Sequence, residues 1–340
     1  MSQLIDFTSS GLYCPIADVY IDPWKPVDKA IITHAHADHA RMGNSSYLAH
    51  KDTVPILKYN LGEYINVHAV DYGEVINIHG VNISLHPAGH IIGSAQVRLE
   101  YKGEVWVVSG DFKLVDDGIS RPFEHVKCHV FVSESTFGLP LFKWRPQTEV
   151  FDEINQWWNQ NVSEGKASVL IGYSLGKAQR LIYHLDKNIG PIYAHSSIET
   201  VNQVLRGNGF KVPQVHKLDL SNTSIDHSRS LILAPPTILS TPGIHKLEPY
   251  SAAIASGWMA LREARRNRNV DRGFILSDHA DWEQLKTAAK ESGAERIFIT
   301  NSGYSSSFYR WLRDNKYDIT EVNTKYVGEL NEMDESLDLL

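Results

Sequence analysis

Thr33-His34-Ala35-His36-Ala37-Asp38-His39-Ala40 gathers three histidines and one aspartate between positions 34 and 39. The residues just before it, Lys29-Ala30-Ile31-Ile32-Thr33, form a short apolar segment that reads as a buried strand. Ligands on the loop leaving such a strand are held by a rigid element, as a metal site requires. Neutral imidazole and carboxylate are the usual ligands of zinc and related divalent ions. A strand-end loop that turns into a helix can aim His34 and His36 at one point and Asp38 and His39 at a neighbouring one. That arrangement suggests two metals side by side with a solvent molecule between them. A lone histidine on an apolar face is more often a satisfied core group. Four clustered titratable groups are different, because without a metal they lack partners when buried and repel when protonated.

Composition sets the frame. The chain has 340 residues, 42% hydrophobic and 21% charged, which is ordinary for a globular protein. Its length suggests about two domains. A formal net charge of -7 gives no global basic field, although a local basic cleft would be enough for nucleic acid. Cys14 and Cys128 lie far apart and read as small core residues, consistent with a reducing cytosol. The first residues show no signal peptide, and no apolar run reaches the roughly 20 residues needed to span a membrane. The chain is therefore expected in the cytoplasm, with no membrane contact.

Further candidates follow in order. Asp18-Val19-Tyr20-Ile21-Asp22 reads as a strand ending before Pro23. Asp22 is either a turn aspartate or a group that holds a ligand imidazole by its far N–H. Gly89-His90 lies on a tight turn between two apolar strands, which makes His90 the third imidazole ligand. His86 reads as a core or supporting histidine. Glu104–Val108 is a strand leading to Asp111, whose two carboxylate oxygens can serve two cations at once. Glu149–Asn161 is an amphipathic helix with Trp157 and Trp158 in its core face. Ala167–Tyr173 and the Ser174–Arg180 segment form a strand–turn–helix unit. The helix start favours a phosphate with Ser174 and Lys177 as contacts, but an ordinary serine cap followed by a solvated lysine fits equally well. Arg262, Arg265, Arg266, Arg268 and Arg272 read as a solvated helix face, or as a patch that tracks nucleic-acid phosphates.

His-x-His-x-Asp-His resembles the signature of the metallo-β-lactamase superfamily. Glu134-Ser135-Thr136-Phe137-Gly138 and Ser277-Asp278-His279-Ala280-Asp281 resemble motifs of its β-CASP nuclease branch. Tyr173-Ser174-Leu175-Gly176-Lys177 is similar to a segment of Artemis-like DNA nucleases. The motif set as a whole is most similar to the bacterial ligase-associated DNA exonucleases, which accompany an ATP-dependent DNA ligase and a helicase in repair gene clusters. This resemblance implies an αββα metallo-β-lactamase sandwich with an inserted α/β β-CASP domain. The parts would be residues 1–145, an insertion at 146–260, a second part at 261–327 and an acidic tail at 328–340.

It also implies a set of roles. His34, His36, His90 and Asp111 would hold one divalent ion, and Asp38, His39 and Asp111 a second. Zinc comes first, with manganese or iron as alternatives. The resemblance makes Asp22 a supporting acid. Glu134 becomes an active-site acid orienting a histidine, and His279 the donor of a proton to the leaving oxygen. It tips Ser174, Gly176 and Lys177 towards phosphate, with Arg262 and Arg265 as DNA contacts. The expected activity is 5′-to-3′ DNA exonucleolysis on ends with a 5′ phosphate, with a DNA ligase and a helicase as partners. Competing readings are an RNA-processing nuclease of the same fold, a small-molecule hydrolase and a non-catalytic DNA-binding scaffold. One residue departs from the pattern: relatives place a histidine or valine near Asn301.

Overall fold

The computed structural model describes residues 3–222, 224–262, 270–300 and 305–326. Arg265, Arg266, Arg268, Asn301 and the tail at 328–340 lie outside the described residues. The chain forms two compact units, one from Met1–Lys143 and His279–Gly328, the other containing Trp144–Asp278.

In the first unit, one sheet takes its strands in sequence order. These are β1 (Asp6–Phe7), β2 (Leu12–Cys14), β3 (Val19–Ile21), β4 (Lys29–Ile32), β5 (Ser46–His50) and β6 (Val67–Val70). The first three pair antiparallel, and β3 to β6 run parallel. Helix α1 (Val54–Leu61) joins β5 to β6. The segment between β4 and β5 departs from expectation. The histidine loop closes a single turn, with the His39 and Ala40 N–H groups bonded to the His36 carbonyl, and no helix follows before β5.

A second sheet begins with β7 (Ile76–Ile78), β8 (Val81–Pro87), β9 (Ala95–Tyr101) and β10 (Glu104–Val108), all antiparallel. The next strand, β11 (Val130–Glu134), joins parallel to β10. Alternation along these strands splits their side chains between two cores. Trp106, Val108, Val130 and Val132 join a core shared with Leu12, Ile21 and Ile31 of the first sheet. Val105, Val107 and Phe131 face a different cluster. This is the period-2 pattern of strands buried on both faces.

The second unit is built on α2 (Gln147–Ser163), β12 (Ala167–Ile171), α3 (Lys177–His184), β13 (Ile192–Ala194), α4 (Ser196–Gly207), β14 (His216–Lys217), β15 (Leu231–Ala234), β16 (Tyr250–Ala255) and β17 (Arg272–Phe274). Its sheet is parallel throughout, in the order β14-β13-β15-β12-β16-β17. Leu170, Leu231, Leu233 and Ala253 pack with Trp157 and Trp158 on one face. Val169, Ile171, Ile232 and Ile254 pack on the other. Sequence reading expects the Gly273–Ser277 strand to belong with the first part of the chain. Instead β17 pairs with β16, and Phe274 and Leu276 join the second unit's core. An apolar strand can fill either core, and its pairing is a long-range property.

After β17 come α5 (Trp282–Ser292), β18 (Arg296–Thr300), α6 (Ser306–Asp314) and β19 (Asp318–Val322). The two strands extend the second sheet beyond β11, both parallel. Both helices, through Leu285, Ala289, Phe308 and Leu312, cover its Phe131 face.

The two sheets of the first unit touch where their strands end. Gly110, just past β10, has φ 57°, and a Cβ there would lie 2.7 Å from the Cβ and Oγ1 of Thr33, just past β4. Gly110→Ala is expected to lose more than the roughly 1–2 kcal/mol that a left-handed alanine costs, because Thr33 must also move. Denaturant unfolding against wild type measures this. An alanine chain as stable as wild type would show that the strand ends tolerate separation.

Candidate metal centre

Asp22 follows β3 in the left-handed region, at φ 42°, and is 1% exposed. Its Oδ1 accepts from the Thr33 N–H at 2.8 Å, and its Oδ2 accepts from Thr33 Oγ1 at 2.6 Å and from His39 Nδ1 at 2.8 Å. Thr33 Oγ1 also lies 3.0 Å from His34 Nδ1. The hydroxyl has one proton and gives it to Asp22, so it must accept from His34 Nδ1–H. One carboxylate thus fixes two tautomers. With their Nδ1–H groups committed in this way, His34 and His39 both turn Nε2 the other way.

Those nitrogens meet others. His36 Nδ1 lies 3.2 Å from His34 Nε2 and 3.1 Å from His90 Nε2. Asp111 Oδ2 lies 3.6 Å from His34 Nε2 and 4.0 Å from His90 Nε2. One donor atom from each of these four buried residues falls within 4.8 Å of the others. A tetrahedral ion with bonds of roughly 2.0–2.1 Å needs donors about 3.3 Å apart, so the set fits a zinc-sized cation. Beside it, His39 Nε2 stands 3.6 Å from Asp38 Oδ2 and 3.5 Å from Asp111 Oδ2. That nitrogen is buried and makes no hydrogen bond among the described residues. Asp111 borders both groups.

His90 is carried by the turn between β8 and β9. The Ser94 hydroxyl accepts from the His90 and Ile91 N–H groups, at 3.1 and 3.2 Å. Glu134, at the end of β11, lies 3.0 Å from His279 Nδ1. It also accepts from the Phe112 N–H at 2.8 Å and from Thr136 Oγ1 at 2.5 Å. His279 Nδ1 stands 4.0 Å from Asp111 Oδ2, and the His90 and His279 ring centroids are 4.7 Å apart. Asp38, His39, Asp111, Glu134 and Tyr326 line a common pocket.

Burial dominates the protonation of this cluster. It drives His34 well below the usual imidazole range, helped by His39, His36 and His90 nearby. Burial pushes Asp111 up to about 7 against the opposing pull of His39. His39 goes the other way. Burial would lower it, but Asp38, Asp111 and Asp22 together raise it to about 10. Burial would raise Glu134 too, yet the charge and hydrogen bond of His279 hold it below the ordinary carboxylate value. Protons here stand where a cation could.

The remaining sequence candidates lie elsewhere. His86 contacts Ser84 and Glu124. Ser174 Oγ lies 3.1 Å from Ser197 Oγ. Gly176 caps α3 at φ 91°, and its N–H is taken by the Gln179 side chain at 2.7 Å. Lys177 is not solvated, being 2% exposed with its Nζ 3.8 Å from Asp278 Oδ2. A phosphate would share that lysine with Asp278. Arg262 is exposed, and Arg265 and Asn301 lie outside the described residues. Sequence reading assigned no role to Thr33 or Tyr326. Thr33 stands in the quoted stretch, but nothing in its spacing marks it as a relay.

A cation at His39 must displace a proton, so affinity is expected to fall as pH drops, and more steeply below about 7 where Asp111 also protonates. Titrating metal calorimetrically in buffers of different ionisation enthalpy should show at least one proton released per chain. Heats that do not depend on the buffer would remove His39 from the ligand set.

No family model matches the chain. It is 28% identical over 309 residues to a probable DNA ligase of Opitutus terrae, covering 90% of this chain and 30% of that protein. It is 27% identical over 181 residues to the endoribonuclease ysh-1 of Neurospora crassa, covering 50% of this chain and 21% of that one. An RNase J-like protein of Methanocaldococcus jannaschii is 24% identical over 208 residues, at 51% and 48% coverage. The chain thus spans less than half the length of these curated relatives. A solved protein of unknown function from Enterococcus faecalis V583 matches with TM-score 0.58 at 11% identity, over 86% of this chain and 78% of that one, a likeness of fold alone. No helix among the described residues is long and apolar enough to cross a membrane. The likeness to β-CASP nucleases of the metallo-β-lactamase superfamily, read above from the motifs, is therefore carried by homologous chains as well.

Proposed function

We propose that the chain is a metal-dependent DNA exonuclease, with the first unit an αββα sandwich and the Trp144–Asp278 unit the inserted β-CASP domain. One observation carries the reading. A histidine–carboxylate set fit for a cation, the Nε2 of His39 and the Glu134–His279 pair all border Asp111. His34, His36, His90 and Asp111 would hold one divalent ion, zinc first, and Asp38, His39 and Asp111 another. Two such ions supply Lewis acidity at phosphoryl oxygens and ionise water near neutral pH. Glu134 anchors His279 through Nδ1, so that the ring can hold a proton for the departing sugar oxygen. Ser174, Gly176 and Lys177 are the proposed contacts for a terminal 5′ phosphate, and Arg262 and Arg265 for the strand behind it.

DNA is favoured because the relative named as a probable DNA ligase matches 90% of this chain. The motif resemblance adds to the proposal action in repair beside a ligase and a helicase, and the sequence reading adds the cytoplasm as its place. Cleavage of RNA is the second reading, favoured by the endoribonuclease and RNase J-like relatives.

End-labelled single- and double-stranded DNA and RNA, with and without a 5′ phosphate, separate these readings when incubated with zinc, manganese or iron. The expected result is metal-dependent release of 5′-terminal nucleotides, faster from DNA. His36→Ala should lower the rate beyond the roughly 10–100-fold that loss of a supporting group costs. Faster attack on RNA would transfer the assignment to RNA processing. Equal, negligible cleavage by wild type and His36→Ala would leave a non-catalytic scaffold.

A further inference from the structure

His39 differs from its neighbours in how it is held. Among the described residues its ring makes one hydrogen bond, from Nδ1 to Asp22, and none at Nε2, whereas the His34 ring has a partner within reach of each nitrogen, Thr33 and His36. A single bond fixes one point of an imidazole, so the ring plane is set by what packs on it, and the His34 ring meets it obliquely, with centroids 4.2 Å apart and planes at 44°. A ligand needs tighter restraint from packing around it.

That restraint comes from the end of the first unit. Past β19 the chain brings Tyr326 onto His39, with ring centroids 4.2 Å apart and planes at 11°. The Tyr326 hydroxyl donates to the main-chain oxygen of Asp22 at 3.1 Å, the residue whose carboxylate holds His39. Trp24 packs edge-on against Tyr326, with centroids 5.7 Å apart. Arg41 ties the same two segments together, donating from Nε to the Asp38 carbonyl at 3.3 Å and from Nη2 to the Lys325 carbonyl at 3.1 Å. Tyr326 is half-buried against this wall, and desolvation together with Asp22 and Asp38 keeps its phenol firmly protonated.

We propose that Tyr326 is a positioning residue for the second cation: its ring and hydroxyl hold His39 with Nε2 turned towards Asp38 and Asp111. The inference rests on the two-cation reading above. Stacking fixes the plane of the imidazole, and the hydroxyl fixes the main chain from which Asp22 reaches it.

Equilibrium dialysis against zinc with elemental metal counting tests this on wild type, Tyr326→Phe and Tyr326→Leu, with circular dichroism to check folding. Wild type should hold two ions per chain. Tyr326→Leu should keep one at wild-type affinity and bind the other about 10–100-fold more weakly, the range seen for supporting groups around metal ligands. Tyr326→Phe keeps the stack but loses the hydroxyl, and should bind the second ion more weakly than wild type and more tightly than Tyr326→Leu. Tyr326→Met replaces the leucine variant if that chain does not fold. Two ions at wild-type affinity in the leucine or methionine chain overturns the inference, as does a phenylalanine chain that binds the second ion more weakly than the leucine chain. A wild-type chain that takes up a single ion overturns the two-cation reading and this inference with it, so the two failures are told apart.

Discussion

The site depends on one carboxylate that need never touch a substrate. Asp22 accepts three hydrogen bonds from the β4 end and the histidine loop. Through Thr33 it sets the tautomer of His34, and directly it sets that of His39. With the opposite tautomers, both rings would point N–H groups into the cluster, and a cation would meet donors where it needs lone pairs. The backbone at Asp22 accepts a left-handed conformation to place this group, which aspartate tolerates better than most residues.

The second constraint is topological. Strands β10, β11 and β18 run parallel, so their C-terminal ends share one edge, and from that edge come Asp111, Glu134 and Thr300. In the first sheet β3 and β4 also run parallel, and their ends deliver Asp22 and His34. Open α/β sheets bind ligands beyond their strand carboxyl ends for this reason. The two edges are joined at Thr33. It meets Gly110 on one side, and its carbonyl accepts from the Ala95 N–H at 2.8 Å, next to the turn that carries His90. Only a residue without Cβ permits so close an approach at that φ.

What could be read from sequence were groups whose chemistry is unusual where they stand. Histidines and acids at the ends of apolar strands are conspicuous, so His34, His36, His90, Asp111 and Glu134 could be singled out before any coordinates. Thr33, Gly110 and Tyr326 could not. A threonine ending a strand and a glycine in a turn are ordinary, and the Tyr326 contact links residues 304 apart. Strand existence followed from periodicity, but strand partnership did not, which is why Gly273–Ser277 fell to the wrong unit. Lys177 showed the limit for charges, because sequence offers solvent or phosphate as its partner and the fold buries it beside Asp278.

Four carboxyl groups, on Asp22, Asp38, Asp111 and Glu134, are buried close together. Burying ionised carboxylates without compensation is costly, and the chain alone meets that cost by keeping protons on His39 and Asp111. Two divalent ions carry as much positive charge as four carboxylates carry negative, so they could take over from those protons. The scaffold differs in kind from the sites it supports. The Thr33 hydroxyl, the main-chain N–H groups and the Nδ1–H of a neutral His34 donate whether or not a cation is present. Exchange of protons for metal would therefore change the charge of the cluster while the hydrogen bonds that aim its nitrogens stay in place.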